Sequence, residues 1–244
     1  MPGKVQSTSL LPVSGWLTAP KKSALMQDWP VLVIPNTLDI LRFQPWPRFL
    51  ARKVLGLPQE IPIVLFGAIG GGRDPRKGFD LLQQALTELA TLIPDVAAVI
   101  FGQSEPLNPP QLGLPLYWMG HMYDEISLSM LYSAADVTVV PSRQENLPQS
   151  GTEAQSCGCP VVAFNCTGLT DVVVHQQTGY LANPFDSHDL ANGIAWVLND
   201  PDRYARLSTQ SRDRAVRLWS PEVVVKQYLG LYEHVLARNN EEIS

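Results

Sequence analysis

Apolar residues in this chain gather in short, nearly uninterrupted runs, and between the runs they recur at helical spacing. The runs are VLVIP (31–35), IPIVLFGA (61–68), VAAVIFG (96–102), LPLYWMG (114–120), VTVVPS (137–142) and PVVAF (160–164). A run without polar alternation predicts a strand buried on both faces. VLVIP, closed by Pro35 and Asn36, is expected to be such a buried strand. FDLLQQALTELATLI (79–93) carries one apolar stripe and is stopped by Pro94. DEISLSMLYSAAD (124–136) predicts a helix with Asp124 as its N-cap. PQSGTEAQSCG (148–158) predicts another, and three more follow near 187–199, 202–218 and 221–238. Strand and helix alternate at short intervals, which defines an α/β chain with a doubly wound parallel sheet covered on both faces. The sequence divides at residue 30. Residues 31–244 read as one unit ending in helices, and residues 1–30 as the remnant of a preceding domain or an N-terminal arm. Within that arm VSGWLTAPKKSALMQDW reads as a helix fragment with no strand before it.

Composition removes several functional classes. Hydrophobic residues make up 45% and charged residues 17%, the balance of a globular chain with a sizeable core. A formal net charge of −5 argues against a broad nucleic-acid footprint. Three cysteines cannot build a disulfide framework and point to a reducing compartment. Four scattered histidines do not supply the spacing of a zinc site, and no metal ligand set is expected. No apolar stretch reaches the roughly 18 residues of a membrane span, and no basic start leads into an apolar core as in a signal peptide.

In doubly wound sheets ligands lie outside the carboxyl ends of the strands, so the loops there hold the candidate chemistry. GAIGGGRDPRKG (67–78) combines glycines, which let backbone approach a ligand, with Arg73, Arg76 and Lys77. A phosphate-bearing ligand complements it. It lacks the Gly-Lys-Ser/Thr ending of a P-loop, and taken alone it reads equally well as a solvated loop. GHMYD (120–124) places His121 at another such end, where a histidine commonly bonds only to its own loop. PSRQENLPQSGTEAQSCGCPVVAF (141–164) carries Glu145 on a loop and Glu153 one turn inside the next helix. The first N–H groups of that helix favour an anion between them. Either glutamate alone reads as helix-dipole complement or surface residue.

Together these segments resemble the retaining group 1 (family 4) glycosyltransferases. The block P-S-x-x-E-N-L-P…E-A…C-G-x-P-V-V-A is similar to their Glu-x7-Glu motif, and VIPNTLD, LFGA…RKGFDLL, WMGHMYDE…LYSAADVTVVPS and HQQTGYLANPFDSHDLANGI follow the family's order. The resemblance implies a Rossmann-like C-terminal half of a GT-B fold, and sugar transfer from a nucleoside-diphosphate sugar with retention at the anomeric carbon. By position, Glu145 is the group beside the donor sugar that supports the transition state, and Glu153 accepts hydrogen bonds from the ribose. Asn146, Leu147, Pro148 and Gln149 form the loop whose amides hold sugar and phosphate. Lys77 and Arg73 match the basic pair on the diphosphate, and Met122 falls where a backbone group meets the base. Two departures stand out. Gly67-Ala68 occupies the place of a Gly-Arg pair, and Gly151 costs its helix about 1 kcal/mol relative to alanine.

The resemblance also implies no organic cofactor or metal. It implies an acceptor saccharide, or a lipid-linked one, bound by an N-terminal domain that family members carry ahead of this region. A cytoplasmic location follows, with attachment to the inner face of the membrane as a variant of it. Two other readings stay open, a non-catalytic nucleotide-sugar binding module and an epimerase of the same GT-B architecture.

Overall fold

Ser9–Leu11 (β1) and Val31–Val33 (β2) pair in parallel as a two-stranded sheet of their own. The computed structural model describes residues 9–11, 24, 28, 31–67 and 74–243. VLVIP is therefore a strand, but it is not buried in the main sheet. Leu32 is 41% exposed, and the pair is a separate two-stranded sheet. The expectation that no strand precedes the segment VSGWLTAPKKSALMQDW is corrected by β1. The helix fragment expected within residues 13–29 lies almost wholly outside the described residues.

After α1 (Arg48–Leu55) come β3 (Ile63–Gly67), a 3-10 turn (Pro75–Lys77), α2 (Phe79–Leu92), β4 (Ala97–Phe101), β5 (Leu116–Trp118) and α3 (Glu125–Ala134). The chain continues through β6 (Val137–Val140), α4 (Gln149–Ser156), β7 (Val161–Phe164), α5 (Leu169–Val172) and β8 (Gly179–Ala182). It ends in α6 (Ser187–Leu198), α7 (Pro201–Trp219) and α8 (Pro221–Ile243). Strands β3 to β8 form one parallel sheet in the order β5-β4-β3-β6-β7-β8. Every residue of β4, β6 and β7 is buried, as unbroken apolar runs require. Helices cover both faces: α2 packs with α6, while α1, α3, α4 and α7 form a second contiguous group. Along α2 the buried Leu81, Leu82, Ala85, Leu86 and Leu89 make the single stripe that its sequence periodicity predicts. Asp124 caps α3 as expected, its Oδ1 accepting from Ser127 N–H at 2.8 Å.

The sequence reading missed α1, α5 and β8. Helix α1 is anchored by Arg52, only 3% exposed, whose Nη2 donates to Asp136 Oδ2 at 2.6 Å. The same guanidinium donates to the carbonyls of Gln59, Ile61 and Ala134, and Asp136 also accepts from Ile63 N–H at 2.7 Å. A buried ion pair is tolerable only when its remaining donors and acceptors are filled, as they are here. This network ties α1 to the amino ends of β3 and β6 and leaves the opposite, carboxyl ends to the site.

Gly151 sits in α4 for a packing reason that the helix propensity scale does not contain. A Cβ there would lie 2.9 Å from Val172 Cγ1, so α4 can lie close against α5 only with glycine at this position.

Candidate functional site

Strand β3 has β4 on one side and β6 on the other, so the chain leaves it in opposite directions along the sheet. This is the topological switch point, where loops diverge and open a crevice outside the carboxyl ends. A cleft of about 310 Å³ lies there, with Gly67 and Phe101 at the strand ends on one side and Val139, Val140, Pro141 and Ser142 on the other. Lys77, Glu145, Gln149, Ser150 and Glu153 complete its polar lining, and Leu128 and Tyr132 of α3 its apolar wall. Residues spread over more than seventy positions of sequence thus converge at one point.

Two backbones meet tightly beside this cleft, next to its lining residues Lys77 and Pro141. Gly78 has φ 65, in the left-handed region, and a Cβ at this residue would lie 1.9 Å from the carbonyl oxygen of Pro141. Only glycine allows the basic turn to pass so close to the loop after β6. Arg143 fastens the two further. Its N–H donates to the carbonyl of Arg76 at 2.7 Å, and its Nη1 donates to the carbonyl of Pro75 at 2.7 Å. The guanidinium also forms a two-pronged pair with Asp80, at 2.8 and 2.6 Å.

This arrangement delivers Lys77 to Glu145. Nζ of Lys77 donates to Glu145 Oε1 at 2.6 Å, and Ser142 Oγ donates to the same oxygen at 2.8 Å. The Glu145 side chain is 14% exposed and that of Lys77 51%. The backbone of Glu145 is gripped as well, its N–H donating to Thr167 Oγ1 at 3.1 Å and its carbonyl accepting from Gly168 N–H at 3.1 Å. Thr167 adopts φ 49, a strained value for a β-branched residue, and such strain persists where surrounding contacts impose it.

Glu153 stands on the other wall, in the second turn of α4. Its Oε2 accepts from the Tyr132 hydroxyl at 2.9 Å. Burial pushes the Glu153 carboxyl above the usual glutamate range; the Tyr132 hydrogen bond opposes this, and the negative charge of Glu125 adds to the rise. Burial also raises the Tyr132 phenol well above its ordinary value, with Glu153 as the next contributor, so the phenol keeps its proton and donates.

Of the residues singled out from the sequence, Lys77, Glu145, Gln149 and Glu153 line this one cleft. Leu147 and Pro148 are buried beneath the loop, and Asn146 is exposed. Met122 does not line the cleft; its side chain packs against the hydrophobic core, and the contact expected of it is one of backbone to base. Arg73 lies outside the described residues. Arg76 is turned away, bound through Nε and Nη2 to Asp74, whose carboxyl this pairing lowers to about 2. His121 stacks loosely on Tyr123, ring centres 6.2 Å apart, and does not line the cleft. Ser142, Arg143, Thr167 and Tyr132 were not identified from sequence as site residues. Ser142 and Tyr132 fall inside the quoted motif segments, but nothing local marks Thr167, whose role comes from a contact 22 residues away.

Comparison with known proteins agrees with this geometry. The family "Glycosyl transferases group 1" matches residues 51–214. A D-inositol 3-phosphate glycosyltransferase of Catenulispora acidiphila is 33% identical over 75% of this chain and 46% of its own length. Sucrose-phosphate synthase from Thermosynechococcus elongatus superposes with a TM-score of 0.77 at 29% identity, over 95% of this chain and 59% of that one. Anabaena HepE, solved in complex with UDP-glucose, superposes with a TM-score of 0.74 at 22% identity, over 92% of this chain and 63% of that one. The chain belongs to the group 1 glycosyltransferase family, and its sheet and helices have the Rossmann-like architecture of one GT-B half. It spans about half the length of the curated relatives it matches. Among the described residues no helix is long and apolar enough to cross a membrane.

Proposed function

We propose that residues 31–244 are the donor-binding half of a retaining hexosyltransferase that uses a nucleoside-diphosphate sugar. The observation that carries this reading is the convergence of one lysine, two carboxylates and a helix N-terminus in one cleft at the switch point of the sheet. The three groups answer three requirements of sugar transfer. A diphosphate leaving group needs positive charge, which Lys77 and the first N–H groups of α4 provide. A ribose needs an acceptor, and Glu153 is that acceptor. An anomeric centre with oxocarbenium character needs a nearby negative charge, and Glu145 is held to supply it.

The Lys77–Glu145 pair suits this work because it is weak. With the lysine half exposed it contributes about 0–1 kcal/mol, so a diphosphate readily takes over the ammonium group. Ser142 and the Thr167 and Gly168 contacts keep Glu145 in place when Lys77 leaves. The UDP-glucose bound by Anabaena HepE supports a nucleotide sugar as the ligand class. The acceptor is a saccharide or lipid-linked saccharide held by a preceding domain, as in longer family members.

Calorimetric titration of the chain with UDP, GDP, ADP and their sugars tests the donor reading. Binding to one of them, without a need for divalent metal, is the expected result. No binding to any of them at millimolar concentration refutes it. With an upstream domain supplied in fusion, anomeric analysis of the product decides between retention and inversion.

A further inference from the structure

Tyr132 is fully buried at the end of α3, yet its hydroxyl reaches the cleft. Its ring is locked, edge-on to Phe101 at 5.9 Å and 83°, and tilted against Phe43 at 6.5 Å. The phenol cannot swing aside, and its O–H is aimed at Glu153 Oε2 at 2.9 Å. We propose that Tyr132 is the positioning residue for Glu153, fixing one carboxylate oxygen so that the group meets the nucleotide in a single orientation. This rests on the donor-binding reading above and extends it to a residue that does not itself touch the ribose.

The charges around Glu153 explain why such a donor is needed. Glu125 of α3 opposes the ionised carboxylate, while the Cys157 thiol at the C-cap of α4, pushed up to about 12, stays neutral beside it. Across the cleft Glu145 is already matched by Lys77. From α7 the Arg212 guanidinium is spent on the carbonyls of Phe43, Ile40 and Ser156. Burial works in the same direction as Glu125, and the Tyr132 hydroxyl opposes both. Without that hydroxyl, Glu153 would take up a proton at higher pH and become a poorer acceptor for sugar hydroxyls.

The test is calorimetric titration of the full chain with UDP, GDP and ADP from acidic to neutral pH, for wild type, Tyr132→Phe, Glu153→Gln and the double variant. Tyr132→Phe preserves the ring and its packing. It should lower affinity about tenfold, the worth of a hydrogen bond to a charged group. The acid limb of binding should also move to higher pH. In the Glu153→Gln background the same change should have less than about a twofold effect, because the two residues act as a unit. A fluorotyrosine at position 132, a stronger donor of nearly equal size, should move the acid limb to lower pH even if Tyr132→Phe fails to fold. An unchanged pH profile in Tyr132→Phe, an equal loss in both backgrounds, or an unmoved limb with fluorotyrosine overturns the assignment. Failure of wild type to bind any of the three nucleotides removes the donor reading, and this inference with it.

Discussion

Replacing Gly78 by alanine should open the site at its tightest point, and Gly56 provides the internal control. Both glycines have nearly the same backbone, φ 65 and φ 68. Alanine in the left-handed region costs about 1–2 kcal/mol at either position. The surroundings differ. A Cβ on Gly56 meets nothing within 4 Å, whereas on Gly78 it lies 1.9 Å from Pro141 O and 2.9 Å from Pro141 C. Neither neighbour is a flexible side chain, so the 3-10 turn and the loop after β6 must part by about an ångström, which adds about 1–3 kcal/mol on the scale of overpacked sites. The expected destabilisation is thus about 1–2 kcal/mol for Gly56→Ala and about 2–5 kcal/mol for Gly78→Ala. For a chain of this size each kcal/mol moves Tm by about 2–4 °C. Thermal melts give both shifts, and titration with the nucleoside diphosphate shows whether Lys77 and Glu145 have separated. Gly56→Ala should bind normally and Gly78→Ala should not. Equal Tm shifts in the two variants, or normal binding by Gly78→Ala, would refute the close approach as the organiser of the cleft.

Other outcomes follow from the same contacts. Glu153→Ala should weaken nucleoside-diphosphate binding tenfold or more, and more than Glu145→Ala does, because the bare diphosphate has a ribose but no sugar beside Glu145; about 1.5–3 kcal/mol is at stake. Equal affinity of the two variants in calorimetry would reverse the roles. Glu153→Gln should stabilise the fold near neutral pH, since burial raises this carboxyl in the folded state and its ionised form therefore costs stability. That gain should shrink as the pH falls and wild type takes up its proton, and melts across pH that show a constant or growing gain would contradict it. Arg52→Ala strips the carbonyls of Gln59, Ile61 and Ala134 of their donor and leaves Asp136 with the Ile63 N–H and the more exposed Arg48, so it should cost about 3–5 kcal/mol in urea unfolding, while leaving nucleotide affinity unchanged in the folded fraction. Cys157 and Cys159, both pushed up to about 12 by burial, should resist alkylation in the folded chain at mildly alkaline pH, which mass spectrometry reads directly.

The sequence alone determined the α/β class, the parallel sheet and the position of most of its strands, because apolar runs and helical stripes are local patterns. It also gave the motif that names the family, since Glu145 and Glu153 lie on one short stretch whose order of strand, loop and helix is written in consecutive residues. What it did not determine was distance between segments. VLVIP has the composition of a core strand, yet it pairs with Ser9–Leu11 outside the main sheet, because burial depends on what lies opposite and not on the strand's own residues. Gly151 looked like a flaw in α4 until Val172 was found against it. The partners of the two glutamates, Lys77 with Ser142 for one and Tyr132 for the other, exist only because the carboxyl ends of β3 and β6 and the end of α3 are folded to one point. Periodicity fixes which way a segment faces; only packing of the whole chain decides which side chain it will face.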